Sequence, residues 1–380
     1  MISRPTWAEV SLEALRHNYR AIRQHIGEAP EICAVVKADA YGHGSVECAT
    51  ALENEGASWF GVTSTDEGIL LREAGIRGRI LLMTGFWRGD QEDVIRYELT
   101  PAVWEPWHIE LLNDAAQDSD VARFPVHIKV DTGMTRLGAN IPDLPALCSL
   151  LTNAQHLTVE GLFSHLASSE VLDAEDATQQ IAAFEDVLGR LAELKISPRL
   201  IHLANSAAAV ARPETWKNMV RPGLALYGYC TPLRGAQRKS VKLPPIELKP
   251  VLSWKTRVIS IRGVCGGRSV GYNATYMTNT PARLAVLPMG YADGLDRQLS
   301  SRGRVLIRGE YAPIVGIVSM DLTIVDVTGV VGVEVGDEVV ILGASGNISI
   351  NAWEHARLCS TIPYEVLCRI SKRVPRRVVE

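Results

Sequence analysis

The sequence predicts an α/β protein, an N-terminal (β/α)8 TIM-type barrel followed by a C-terminal, mostly β domain. Two observations carry this. Up to about residue 230, eight strand-like runs alternate with helical patterns, the number that a (β/α)8 barrel requires; a doubly wound sheet is the next candidate. Past roughly Pro232 the helical period stops, and β-branched runs punctuated by glycine take over. The division expected is a barrel over 11–235 and a β domain over 236–380, to which the first roughly ten residues can add a strand.

Each element has its own reason. Ser11 can cap a helix whose apolar residues Leu12, Leu15, Tyr19, Ile22 and Ile26 recur at spacings of three and four. The strand candidates that follow are 32–36, 59–62, 80–83, 102–104, 126–130, 159–163, 200–203 and 223–227. Among the intervening helices the clearest pattern is Ile181, Phe184, Leu188, Leu191 and Leu194. The stretch 231–250 is rich in Pro, Lys and Arg and is expected to be a linker. Strands are then expected at 251–261, 284–287, 305–307, 314–318, 322–327 and 338–341, with short helices near 352–358 and 364–370.

Composition narrows the function. With 380 residues and 47% hydrophobic content there is material for two cores. A net charge of −4 with no basic stripe argues against nucleic acid. No apolar run approaches the ~20 residues that span a bilayer. The start, from Met1 to Pro5, lacks the apolar stretch of a secretory signal. Seven scattered cysteines without a CxxC pair fit reduced thiols in the cytoplasm, with no metal site and no disulfide framework.

The chemistry centres on residues 34–44, AVVKADAYGHG. Lys37 falls where a buried strand meets a glycine-bearing loop. A lysine in such a partly dry setting loses ammonium solvation, and its lowered pKa suits Schiff-base formation. Other polar residues gather at the same ends of the expected strands: Arg136 after the fifth, His165 at the end of the sixth, Ser206 after the seventh. Those are the carboxyl ends, where barrels of this kind place their sites, with phosphate often held after strands seven and eight. Arg221 departs from this pattern, since it precedes the expected strand 223–227. The segment Asn205–Ser206–Ala207 offers a hydroxyl at a helix start, or simply a helix cap. RPGLALYG, from Arg221, offers main-chain N–H groups near a glycine, or simply a turn.

The Lys37 segment resembles the pyridoxal-phosphate lysine segment of the alanine racemase family, which more often has Asn where this chain has Asp39. KVDTGMTRLG, from Lys129, resembles the family's KxDTGMxRLG, and VGYNATY, from Val270, resembles its tyrosine segment. RPGLALYG, GYADG from Gly290, VGIVSMD from Val315 and IPYE from Ile362 also match family segments. The resemblance spans nearly the whole chain and implies a pyridoxal 5'-phosphate enzyme that interconverts L- and D-alanine for the bacterial cell wall.

It further implies that Lys37 holds the cofactor, and that Tyr41, Ser206, the main chain of Gly223 and Leu224, and Tyr364 hold its phosphate. His165 is implied to lie against the cofactor ring and Arg221 to face the ring nitrogen. A guanidinium there cannot take up a proton, so the ring nitrogen stays neutral. Arg136 is implied to meet the substrate carboxylate, as bidentate geometry suits. Lys129 supports that arginine, as a carbamate in part of the family, or else forms an ion pair with Asp131 or a neighbour.

Racemisation needs proton transfer on both faces of the reacting carbon. The resemblance makes Tyr272 the candidate second base, where a tyrosine in a β domain is otherwise more often core packing; at pKa ~10 it needs cationic neighbours, which His165 and Arg221 can supply. The resemblance implies a head-to-tail homodimer in which Tyr272, Met320 and Asp321 arrive from the other subunit, with Tyr291 in support. Ile317 stands where the family commonly has arginine near the substrate entrance. Alternatives are a serine or broad-spectrum racemase, a decarboxylase of the same fold type, and a non-catalytic pyridoxal-phosphate carrier that resembles the barrel half alone.

Overall fold

Eight parallel strands close on themselves: Glu31–Val35, Trp59–Val62, Arg79–Leu82, Leu99–Val103, Phe124–Asp131, Leu157–Phe163, Leu200–His202 and Met219–Val220. Each pairs with the next, and the eighth returns to pair with the first through Met219↔Glu31 and Val220↔Ile32. This is seen in a computed structural model that describes residues 4–235 and 246–380. The chain divides into two units, Leu15–Ala40 with Ser45–Lys249, and Met1–Ala14 with Tyr41–Gly44 and Pro250–Glu380. The barrel is the first of these.

Between successive barrel strands run Ser45–Asn54, Thr65–Glu73, Gln91–Arg96, Pro106–Asp118, Leu144–Asn153, Glu175–Glu193 and Ser206–Ala211. The helical pattern around Phe184 belongs to Glu175–Glu193, which buries Phe184, Val187 and Leu191. Side chains from strands on opposite sides meet inside: Cys33, Trp59, Leu81, Leu200 and Met219 form one buried cluster. The barrel is therefore filled, and ligand chemistry is confined to its ends.

The eighth strand differs from the expectation. Residues 223–227 do not form it; Leu224–Tyr227 is a 3-10 turn, and the strand is Met219–Val220. A short apolar run does not distinguish strand from buried turn. Here Met219 can pair with both His202 and Glu31. The later run is held instead by Tyr227, whose hydroxyl donates to the Val35 carbonyl at 3.0 Å. Arg221 thus follows its strand and shares the carboxyl end with the other polar residues.

In the second unit, Thr6–Ser11 pairs antiparallel with Leu252–Arg257 and parallel with Arg376–Val379, within a seven-stranded sheet. Ser11 also caps the helix Leu12–Ile26, its Oγ accepting from Ala14 N at 3.1 Å. A three-stranded sheet contains Ser260–Val264, Ala282–Leu287 and Thr323–Asp326, and a hairpin pairs Ser269–Val270 with Tyr276–Met277. Trp254, Leu287, Ile307, Val325 and Ile341 lie in the core of this unit. Residues 314–318 are not a strand: Ile314 makes an isolated bridge to Val325, and Gly316 at φ +74° turns the chain away. The helices Ala352–Leu358 and Pro363–Cys368 lie near the expected positions.

Residues 236–245, within the expected linker and starting at the expected boundary 235/236, lie outside the described residues, as do the first three of the Met1–Pro5 start. Among the described residues no helix is long and apolar enough to cross a membrane.

Candidate active site

The chain leaves the first barrel strand in an unusual conformation. Lys37–Gly42 makes one helical turn, and it is left-handed, with φ between +52° and +55° at Ala38, Asp39, Ala40 and Tyr41. Each L-residue held so costs about 1–2 kcal/mol, so its surroundings must enforce the turn. Glu67 contributes, accepting from Ala38 N at 2.6 Å and from Thr63 N at 2.8 Å. Asp39 Oδ1 accepts from Ser45 N at 2.8 Å, at the start of the next helix. The carboxylate expected beside the reactive amine therefore has a structural partner. Lys37 itself is half-buried at the barrel mouth.

Positive charge accumulates there. Burial pushes the Lys129 amine down to about 7, helped by Arg221, Arg136 and Lys37. Lys129 makes no ion pair with Asp131; its Nζ donates to the Met83 carbonyl at 2.9 Å. Asp131 is used otherwise, gathering the N–H groups of Gly133, Met134, Thr135 and Arg136 at 2.8–3.2 Å and so shaping the loop that carries Arg136. His165 is held down at about 3 by burial and then by Arg221, Arg136, Lys129 and Lys37. It is neutral near pH 7, which corrects its expected role as a cation beside Tyr272. Arg221 is fully enclosed, and burial lowers it to about 10, still charged at neutral pH. Its Nη1 donates to His202 Nδ1 at 2.7 Å, and its Nη2 to the carbonyls of Ser164 and Leu203 at 2.8 and 3.3 Å.

Ser206 and the turn after Arg221 meet directly. Ser206 Oγ accepts from Gly223 N at 2.8 Å and from Ala225 N at 3.3 Å, while Leu224 between them is buried. Asn205 caps the same helix, accepting from Ala208 N at 3.1 Å. Hydroxyl and main-chain donors therefore converge beside the Arg221 segment.

In the second unit, Tyr41 lies against Tyr364, with ring centroids 5.8 Å apart, and burial followed by Tyr364 raises its phenol above the ordinary range. Tyr272, Tyr291, Ile317 and Met320 line one cleft. Tyr272 sits on the hairpin between Ser269–Val270 and Tyr276–Met277 and is 68% exposed. Asp321 pairs with Arg373 at 2.7 Å. The GYADG segment behind the cleft is packed backbone to backbone: a Cβ on Gly290 would lie 2.0 Å from the Ser319 carbonyl oxygen. Asp293 is buried there and bound by Arg4 at 2.8 and 3.0 Å.

Family models for the alanine racemase N-terminal domain and C-terminal domain match residues 10–231 and 251–378. The chain belongs to the alanine racemase family. The alanine racemase of Symbiobacterium thermophilum is 42% identical over 374 residues, covering 98% of this chain and 97% of that protein. A solved alanine racemase from D-cycloserine-producing Streptomyces lavendulae superposes with a TM-score of 0.92 at 33% identity, covering 100% of this chain and 98% of the other. A third, from Bartonella henselae with covalently bound pyridoxal phosphate, gives 0.86 at 32% identity, with 99% of both chains covered.

For a member of this family the fit to a phosphorylated cofactor can be tested on the donor set. Lys37, Lys129, Arg136 and Arg221 act together on His165, and Asp131, the carboxylate acting on Lys129 in opposition, is occupied by backbone N–H groups. That excess of cation, beside converging hydroxyl and N–H donors, suits a dianionic phosphate and a carboxylate. An alanine racemase motif reading alone misses His202, His127 and Glu160, which continue inward from Arg221. Their signal is weak: polar side chains in otherwise apolar barrel strands.

Proposed function

We propose that this chain is an alanine racemase that interconverts L- and D-alanine with pyridoxal 5'-phosphate, in the cytoplasm, supplying D-alanine for peptidoglycan. The observation that carries this is the cationic barrel mouth around Lys37 in a chain 42% identical to a named alanine racemase. Bound there, pyridoxal phosphate supplies an aldehyde for capture of an amine and a conjugated ring that accepts the electron pair left when a proton departs. Ser206 and the main chain of Gly223 and Leu224, with Tyr41 and Tyr364, would hold its phosphate, and His165 would pack on the ring. Arg221 would offer the ring nitrogen donors only, and so would hold the ring without protonating it.

Arg136 binds the substrate carboxylate and orients Cα, with Lys129 behind it. Lys37 takes or returns the proton on one face and Tyr272 on the other, the two-base arrangement that racemisation requires. Tyr272, Met320 and Asp321 are supplied by the partner chain of a homodimer, with Tyr291 in support. Support for this is the exposure of Tyr272 and Met320, 68% and 53%, on one cleft.

Purified protein with added cofactor should convert L-alanine to D-alanine, and exchange the Cα hydrogen with solvent in both directions. Alanine should be preferred over serine, since Tyr364 beside Tyr41 narrows the space next to the substrate side chain; shape alone discriminates by about 10²-fold. Equal turnover of serine would move the assignment to a serine or broad-spectrum racemase. No racemisation of any amino acid by cofactor-loaded protein would reject it.

A further inference from the structure

Arg221 is the first of four polar groups that cross the barrel interior. Its Nη1 lies 2.7 Å from His202 Nδ1, His202 Nε2 lies 2.9 Å from His127 Nδ1, and His127 Nε2 faces Glu160 Oε2 at 3.6 Å. Glu160 is bound in turn by Arg79 at 2.7 Å and Arg199 at 3.3 Å. Arg79 opens its strand and Arg199 precedes Leu200–His202, so the series runs from the carboxyl end of the barrel to its amino end.

The direction of every proton follows. A guanidinium only donates, so His202 Nδ1 must accept, which puts the His202 proton on Nε2. His127 Nδ1 must then accept, which leaves the His127 proton on Nε2, toward the Glu160 carboxylate. Either histidine with a proton on Nδ1 would set two N–H groups against each other.

The local backbone is shaped for this arrangement. Strand pairing slips between Val126↔Val159 and His127↔Gly161, leaving Glu160 as the extra residue of a bulge. A Cβ on Gly161 would lie 2.4 Å from His127 Nδ1, so only glycine admits the ring. Phe163 stacks on His202 at 4.7 Å with a 7° tilt. Burial lowers both histidines, further than Glu160 can raise His127. Burial raises the Glu160 carboxyl, but His127, Arg79 and Arg199 outweigh it and hold it at about 2. Two neutral rings thus separate Arg221 from its counter-charge.

We propose that Glu160 and His127 are positioning residues for Arg221: Arg221 sets both histidines protonated on Nε2, the Glu160 carboxylate faces the resulting His127 Nε2–H and favours it by its charge, and the rings aim the guanidinium while leaving its charge unneutralised. The proposal rests on the racemase reading only for what Arg221 then does to the ring nitrogen.

The test begins with wild-type holoenzyme labelled with 15N-histidine. The signals of His127 and His202, assigned by single substitution, should report neutral rings protonated on Nε2 from pH 5.5 to 8.5. A proton on Nδ1 of either ring overturns the proposal, whatever the racemisation assay of the same sample gives; absence of racemisation with the expected tautomers rejects the functional reading alone. Glu160→Met should leave the Nε2 tautomers in place, since Arg221 sets them, but remove the charge facing His127 Nε2–H and lower kcat about tenfold, in the range seen when outer partners of a site are lost, with KM for alanine changed less than twofold. In a His127→Gln background, the amide oxygen can accept from His202 without Glu160, so adding Glu160→Met should cost under twofold. An equal tenfold loss in both backgrounds would mean that Glu160 acts through general stability, and would overturn the relay.

Discussion

At the barrel mouth Lys129, Ser206 and Arg221 are about 5% exposed, whereas Tyr272, Tyr291 and Met320 in the cleft of the β unit are 44–68% exposed. The mouth is polar, cationic and internally bonded: Arg221 has three acceptors and Asp131 four donors. The cleft sets Ile317 and Met320 among Asn273, Arg297 and Ser319 and leaves its tyrosines exposed. The difference is the one that the proposed two-chain site asks of each region. Concentrated buried positive charge is costly without an anion, and exposed side chains such as Tyr272 and Met320 are what a second chain would cover in the proposed dimer.

The sharpest way to break the comparison is at Lys37. Lys37→Ala should lose more than the roughly 10⁴-fold that one acid or base is worth, because it removes the cofactor tether as well. Borohydride should no longer trap a covalent adduct; an adduct on another lysine would put the centre elsewhere. Tyr272→Phe should be milder, about 10²–10⁴-fold, with the adduct still trapped and the larger deficit starting from L-alanine. Near-normal turnover of L-alanine would leave the cleft without a chemical role.

How much of this was legible in the sequence depended on how local each signal is. The Lys37 segment and KVDTGMTRLG are contiguous, and chain order carries them. Arg221 was misplaced relative to its strand because Gly223-to-Tyr227 is as apolar as a strand, and only the pairing of Met219 with both neighbours decides the register. The left-handed turn after Lys37 was invisible because none of Ala38, Asp39, Ala40 and Tyr41 is a glycine. His165 was expected to supply positive charge near Tyr272, and burial, followed by four neighbouring cations, holds it neutral instead. The series His202, His127 and Glu160 is spread over three strands, so no linear motif could report it.

A smaller effect tests the cost of charge at the mouth. The Lys129 amine falls from its ordinary 10.5 to about 7 in the fold. Between those values the unfolded chain binds a proton that the folded protein does not, so stability rises with pH across that window. Lys129→Met removes this dependence. In cofactor-free protein its denaturant midpoint should exceed that of the parent most below pH 7, and the gap should narrow steadily towards pH 10. A gap that does not change with pH would mean that Lys129 is not buried as charged. Smaller again, Ser206→Ala removes one hydroxyl from the converging donors. It should weaken cofactor binding by about 0.5–1.5 kcal/mol, up to roughly tenfold, as one hydrogen bond is worth; unchanged affinity would place the phosphate away from Ser206.

The claim that two half-sites on different chains make one centre is tested most directly by complementation. Lys37→Ala and Tyr272→Phe homodimers should each be nearly inactive. After subunit exchange in equal amounts, half the dimers are mixed, and one of the two sites in each has both bases intact, so activity should recover to about a quarter of the parent value, as closed two-fold symmetry requires. Exchange proven by mass-tagged subunits, with no recovery of racemisation, would contradict the account and put both bases on one chain.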